Sequence, residues 1–138
     1  SMKVNEMMSG DVCIARPQDT LAQAAGLMAR HDVGSLPVGD GDRLVGFLTD
    51  RDIVVRAVAG GLGSDTPVRE VMSTEVKYCF DDEDIDHVAR NMAQQQIRRL
   101  PVVDRDKRLV GIVSLGNFAD SGDAGASQDL LRGVAAAH

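Results

Sequence analysis

Residues Leu44 to Asp52 read LVGFLTDRD, and residues Leu109 to Asn117 read LVGIVSLGN. Each stretch opens with a continuous apolar run, the pattern of a strand covered on both faces. Each closes with a hydroxyl residue and, three positions later, a polar acceptor: Thr49 with Asp52, Ser114 with Asn117. A Thr at N-cap with an acidic residue at N3 satisfies two orphan backbone donors reciprocally. The same geometry suits a ligand, because N–H groups at the helix start attract phosphate and a carboxylate accepts from sugar hydroxyls. On GFLTDRD alone the cap is the plainer reading, since short motifs match often by chance.

Outward from this pair the whole chain repeats. Shifted by 64 positions, VNEMMSGDV (Val4 to Val12) falls on VREVMSTEV (Val68 to Val76), and Val4, Glu6, Met8, Ser9 and Val12 all match. LAQAAGLMA (Leu21 to Ala29) falls on IDHVARNMA (Ile85 to Ala93), and LPV at Leu36 falls on LPV at Leu100. One extra residue in the second copy then brings Leu44 onto Leu109. Self-similarity kept in order over this length marks a duplication. The sequence therefore divides into a first repeat at 2–62 with its lead segment, a second at 63–120, and a tail at 121–138.

Both copies predict the same elements. A short helix or turn (Val4 to Met8; Pro67 to Met72) leads to a brief strand near Val12 to Ala15 or Val76 to Cys79. Thr66 reads as an N-cap with Pro67 at the first helical position. A helix follows, with Leu21, Ala24, Ala25 and Met28 at i, i+3, i+4, i+7, and Ile85, Val88, Ala89 and Met92 in the same spacing. Thr20 and Gln23 make a capping box, and Asp84 caps the second helix. Strands at Ser35–Val38 and Leu44–Leu48, and at Arg99–Val103 and Leu109–Val113, flank the polar turns GDGDR and DRDKR. A further helix starts at Thr49 or Ser114, and the glycines of AGGLGSD end the first of these. Gln128 to Ala137, with Leu130, Leu131 and Val134 on one face, predicts a short tail helix. The fold class is α/β, two β-α-β-β-α units.

Composition narrows the function. The 138 residues are 43% hydrophobic, enough to fold, but hold one Tyr, three Phe and no Trp, so the core is aliphatic and Met-filled. A net charge of −6 argues against a nucleic-acid or acidic-membrane binder. Cys13 and Cys79 have neither the spacing of a zinc site nor that of a disulfide framework. No run approaches the ~18 apolar residues of a membrane helix, and no signal peptide is visible, so a cytoplasmic location is expected. The leading Ser1-Met2 reads as the remnant of a cleaved tag.

The order β-α-β-β-α given twice, with LPV and a G-h-h-[TS]-x-x-[DN] motif in register, resembles a tandem pair of CBS domains, a Bateman module, over roughly Val4 to Ala119. The resemblance implies two repeats packed about a pseudo-twofold axis. It also implies two clefts for adenosine-containing ligands such as AMP, ADP, ATP, NAD or S-adenosylmethionine, and a regulatory role without catalysis. It further implies a homodimer formed through helical faces, and an effector protein that the sequence leaves unidentified.

Carried over residue by residue, Thr49 faces phosphate and Asp52 takes the ribose hydroxyls. Arg99 supplies the counter-charge from the other repeat, assisted by Arg98 or Arg51, since an anion buried unpaired is costly. The plainer alternative for the arginines is a solvated strand edge pairing with Asp104 or Asp106. Phe47, Tyr78, Ile97 and Pro101 are the expected lining for the base, or plain core.

The second cleft departs from the pattern. Ser114 and Asn117 replace Thr49 and Asp52, while Gly34 and Ser35 stand where Arg98 and Arg99 do. Val12, Ile14, Val33 and Pro37 would line it. With neutral Asn117 and no arginine on Gly34–Ser35, it is expected to be the weaker site. The acidic run Asp81, Asp82, Glu83, Asp84 and Asp86 fits no calcium loop and reads as a complement to the helix dipole. No metal and no catalytic residue is expected.

Overall fold

Two glycines show how each repeat is closed. A Cβ on Gly46 would collide with Met72 Sδ and stand 3.1 Å from Ser73 O; a Cβ on Gly111 would stand 2.5 Å from Met8 Sδ and 3.0 Å from Ser9 O. The Met-Ser of a lead segment thus lies flat across the Val-Gly of a strand, where only hydrogen fits. Backbone bonds fix both crossings: Phe47 with Ser73, and Ser9 with Ile112, exchange N–H···O bonds of 2.9–3.0 Å.

The computed structural model describes residues 2–114. They form two units, one of residues 13–76 and one that joins 2–12 to 77–114. Each lead segment therefore packs with the strands of the other sequence repeat. The duplicated stretches 2–62 and 63–120 are units of sequence, offset from the units of space by one lead segment.

In the first unit, α1 (Leu21–His31) packs on the antiparallel pair β1 (Ser35–Asp40) and β2 (Arg43–Thr49). Ala15 joins β1 as a single parallel bridge to Val38. The second unit repeats this with α3 (Ile85–Gln95) and a three-stranded sheet β3-β4-β5. Here β3 is Cys79–Phe80, β4 is Arg99–Val103 and β5 is Leu109–Ser114. The Cys79–Val102 parallel pair stands 64 residues after Ala15–Val38.

The expected strands near Val12 and Val76 are thus shorter and later than the apolar pattern suggested. The chain meets the sheet at Ala15 alone in the first unit and at Cys79 and Phe80 in the second, and a tight turn follows at once. Asp19 accepts from Arg16 N in one turn and Glu83 from Phe80 N in the other, again 64 apart.

Both long helices begin as predicted. Thr20 and Gln23 cap α1 reciprocally, and Asp84 accepts from Asp86 N at the start of α3. On α3 all four stripe residues are buried, whereas on α1 Ala25 is exposed and Leu27 packs against the core instead. Each side chain such as Leu36, Leu48, Ile85 or Met92, fully buried, contributes about 1.5–3 kcal/mol.

Thr66 is not a cap. Its carbonyl accepts from Leu21 N at the start of α1, and extended Pro67 precedes the 3-10 turn Val68–Glu70. In the turn DRDKR Lys107 stands at φ 63°, as Gly41 does at φ 62° in GDGDR, while Asp104 Oδ1 accepts from Asp106 N and Arg108 N. After β2 the chain forms α2 (Asp50–Asp52), which continues as a π-helix, Ile53–Val58. The expected helix after Ser114, Asn117 and the tail helix lie outside the described residues.

Candidate functional site

The end of β2 delivers Thr49 to a helix start. Asp52 N donates to Thr49 Oγ1 at 3.0 Å, and Thr49 N donates to Asp52 Oδ2 at 2.9 Å. The cap predicted for GFLTDRD is therefore in place. Asp52 is half-buried, and its other oxygen lies 3.7 Å from Arg56 Nε. A carboxylate with one oxygen pinned to the backbone and the other near a guanidinium is an aimed acceptor, one that a sugar hydroxyl can approach. Sequence reading missed Arg56, although its i+4 spacing from Asp52 is the signal of a helical ion pair. Arg51 is exposed, and its backbone N–H bonds to Asp50.

The sheet register sets Ser35 opposite Thr49 and Arg99 opposite Ser114. Arg99 is half-buried and Arg98 exposed. Phe47 is half-buried on β2, facing Pro37 across the strand pair. Pro101 and Pro37 are buried. Ile14 and Val33 are half-buried in the unit of 13–76, as is Val12 in the other.

Two of the four residues expected around a base, Tyr78 and Ile97, come together. They line a cleft of about 110 Å³ between the start of β3 and α3, within one unit. Its other walls include Lys77, Glu83, Asn91 and Gln95, none of which sequence reading placed there. Tyr78 keeps 40% of its surface exposed and meets Phe80 edge-on, ring centroids 5.7 Å apart. Cys79, at the floor of the cleft, has its thiol pushed up to about 12 by burial first and then by Glu83 and Asp81. Such a thiol stays protonated near neutral pH, which is the opposite of an activated cysteine.

The acidic run has local uses. Asp84 caps α3, Glu83 holds Phe80 N, and Asp82 forms a two-pronged pair with Arg105 at 2.7 and 2.8 Å. Hydrogen bonding from Arg105 draws the Asp82 carboxyl below its usual range. Arg105 also stacks 4.1 Å over the Phe80 ring. Among the described residues no group of three or more His, Cys, Asp or Glu is placed to hold a metal, and no helix is long and apolar enough to cross a membrane.

Comparison with known proteins agrees with the duplicated architecture. The CBS domain family matches twice, at residues 4–58 and 68–121. The CBS domain-containing protein YhcV of Bacillus subtilis is 46% identical over 116 residues, which cover 84% of this chain and 82% of that one. Hypoxic response protein 1 of Mycobacterium tuberculosis is 40% identical over 115 residues, covering 82% and 79%.

A crystal structure of Hypoxic Response Protein I, with two coordinated zinc ions, superposes with a TM-score of 0.77 at 37% identity, covering 87% of this chain and 98% of that one. CBSX2 in complex with AMP gives 0.76 at 26% identity, covering 86% and 94%. The CBS domain pair of MJ0100, with 5′-methylthioadenosine and S-adenosyl-L-methionine, gives 0.70 at 29%, covering 99% and 98%. The chain belongs to the CBS-domain family, with two CBS domains in tandem.

Proposed function

We infer that this CBS pair is a regulatory module, not an enzyme, that binds one adenosine-containing ligand of the AMP, ADP, ATP, NAD or S-adenosylmethionine kind. The observation that carries this reading is the half-buried Asp52 carboxylate, held by Thr49 at a helix start. Support comes from two structures of the same fold that hold AMP in one case and 5′-methylthioadenosine with S-adenosyl-L-methionine in the other. Asp52 takes the ribose, Thr49 and Arg99 the phosphate, with Arg98 and Arg51 nearby in sequence, and Tyr78 and Ile97 flank the base. A ligand that calls on residues of both repeats favours the arrangement in which all its contacts are made, and that shift is the signal passed to an effector.

A second reading is a constitutive interaction module that needs no nucleotide. Val54, Val55 and Val58, 49–67% exposed, leave an apolar face on the helix after β2, and Leu62, 42% exposed, follows in the turn beyond it. Such a face suits self-association into a homodimer. A thermal-shift panel of AMP, ADP, ATP, NAD and S-adenosylmethionine separates the two. A binder raises the melting temperature as its concentration passes its dissociation constant. A flat response to all five leaves the interaction module.

A further inference from the structure

Asp52 has one oxygen to spare. Its Oδ2 accepts from Thr49 N at 2.9 Å, while Oδ1 accepts no hydrogen bond among the described residues. A carboxylate held by one oxygen still pivots about that bond, so a second restraint decides where Oδ1 points. Arg56 is placed to supply it. Its Nε lies 3.7 Å from Oδ1, too far for a hydrogen bond but close enough for charge attraction. The stand-off leaves the lone pairs of Oδ1 open to a donor.

Arg56 is itself held. Its Nη1 donates to the carbonyl of Val71 at 3.3 Å. Val71 is buried and closes the 3-10 turn Val68–Glu70, just before Met72 and Ser73 cross β2. One planar guanidinium thus turns one nitrogen to a fixed carbonyl and another to a carboxylate. Its side chain is 54% exposed, against 16% for Asp52. A free arginine on such a surface would swing through water and hold nothing in place. The bond to Val71 gives this one a fixed direction.

The backbone contributes as well. Ile53–Val58 is a π-helix, and Ala59 N reaches back to Val54 O, five residues earlier. Such a helix winds more residues into each turn than an α-helix, which brings position i+4 back towards position i. Helical turns of this kind gather at functional sites. The duplication adds a comparison: positions 52 and 56 correspond to Asn117 and Ser121 in the second copy. The charged pair Asp52–Arg56 is thus exchanged, as a pair, for a neutral one.

We propose, on the adenosine reading above, that Arg56 is a positioning residue: anchored on the Val71 carbonyl, it aims the free oxygen of Asp52 at the ribose hydroxyls without touching the ligand. Its effect on affinity then passes entirely through Asp52. That effect vanishes when either the carboxylate or the hydroxyls are removed.

The test is a double-mutant cycle read by titration calorimetry, with AMP and 2′,3′-dideoxy-AMP as probes. The proteins are the wild-type chain, Arg56→Ala, Arg56→Gln, Asp52→Ala and the double variant Asp52→Ala/Arg56→Ala. Arg56→Ala is expected to weaken AMP about fivefold in the wild-type background, and less than about twofold on top of Asp52→Ala. Dideoxy-AMP should bind the wild type and Arg56→Ala alike. Arg56→Gln keeps an amide donor but loses the charge, and should follow Arg56→Ala. The same loss in both backgrounds, or for both probes, overturns the positioning role, since Arg56 then meets the phosphate or supports the fold. Wild-type AMP affinity in Arg56→Ala or Arg56→Gln overturns it too. In each of these cases a weakened Asp52→Ala leaves the adenosine reading standing. If Asp52→Ala binds AMP like the wild type, or the wild type binds none of AMP, 5′-methylthioadenosine and S-adenosylmethionine, both readings fall.

Discussion

Thr49 and Asp52 cap each other through two hydrogen bonds of 2.9 and 3.0 Å, and Asp52 also stands 3.7 Å from Arg56. One carboxylate thus serves the fold and the proposed site, and the two roles separate by substitution. Asp52→Ala removes both, costing about 0.5–2 kcal/mol of stability from the cap and about 10- to 150-fold in ligand affinity. Asp52→Asn keeps an oxygen for Thr49 N but loses the charge. It should melt close to the wild type and still bind distinctly more weakly. Wild-type affinity in Asp52→Asn would return GFLTDRD to a cap alone.

The crossing of Met72 over Gly46 gives a prediction about stability that involves no ligand. Gly46→Ala forces a methyl against Met72 and against the Ser73 carbonyl, and should cost about 1–3 kcal/mol in urea unfolding. Gly26→Ala is the control, because a Cβ on Gly26 in α1 meets nothing within 4 Å. There the change should stabilise by about 0.5–1 kcal/mol, through helix propensity. Equal effects at the two glycines would mean that the lead segment does not lie against β2 in solution.

These contacts also mark how far the sequence could be read. The caps Thr20–Gln23, Thr49–Asp52 and Asp84 are local, so spacing alone revealed them. The strands around LPV and LVG were legible in both copies from the duplication, but not their register, which sets Leu36 against Leu48 and Leu100 against Val113. Ala15 was harder: Val12 to Ile14 look like a strand, yet a strand exists only where a partner's hydrogen bonds reach it, and those reach Ala15 alone. The same limit hid the Met72–Gly46 crossing, which joins one repeat's lead segment to the other repeat's strand. Nothing in the sequence singles out Asn91 and Gln95. Only the placement of α3 beside Tyr78 and Ile97 turns them into the rim of a cleft.

Cys79 predicts a pH dependence. Its thiol is held up to about 12 in the folded chain, chiefly by burial and then by Glu83 and Asp81, while an unfolded cysteine titrates near ~8.5. Between those values the folded state binds the extra proton, so stability falls as pH rises from about 9 towards 12. Urea midpoints at pH 8 and pH 10 should show a decline that is smaller in Cys79→Ala. Native Cys79 should also resist iodoacetamide at pH 8 and react once unfolded. Fast labelling of the folded chain would disprove the burial.

The two clefts should be unequal, with only the Asp52 cleft filling at low nucleotide. It combines the Thr49 hydroxyl, the Asp52 carboxylate for ribose and, by the proposed assignment, Arg99 for phosphate. Its counterpart has Ser114, neutral Asn117 and no arginine on Gly34–Ser35. Two missing charge-assisted contacts at ~1.5 kcal/mol each separate the affinities by roughly a hundredfold. One relationship pulls the other way: β4 and β5 set Arg99 in register with Ser114, in its own sheet. Calorimetry on three variants weighs these. One strong site per chain is expected, lost in Asp52→Ala and spared in Asn117→Ala. Arg99→Ala should cost far more affinity for AMP than for adenosine, because its partner is phosphate. If Asn117→Ala abolishes the strong site and Asp52→Ala spares it, Arg99 serves the sheet neighbour Ser114 and the strong cleft is the other one.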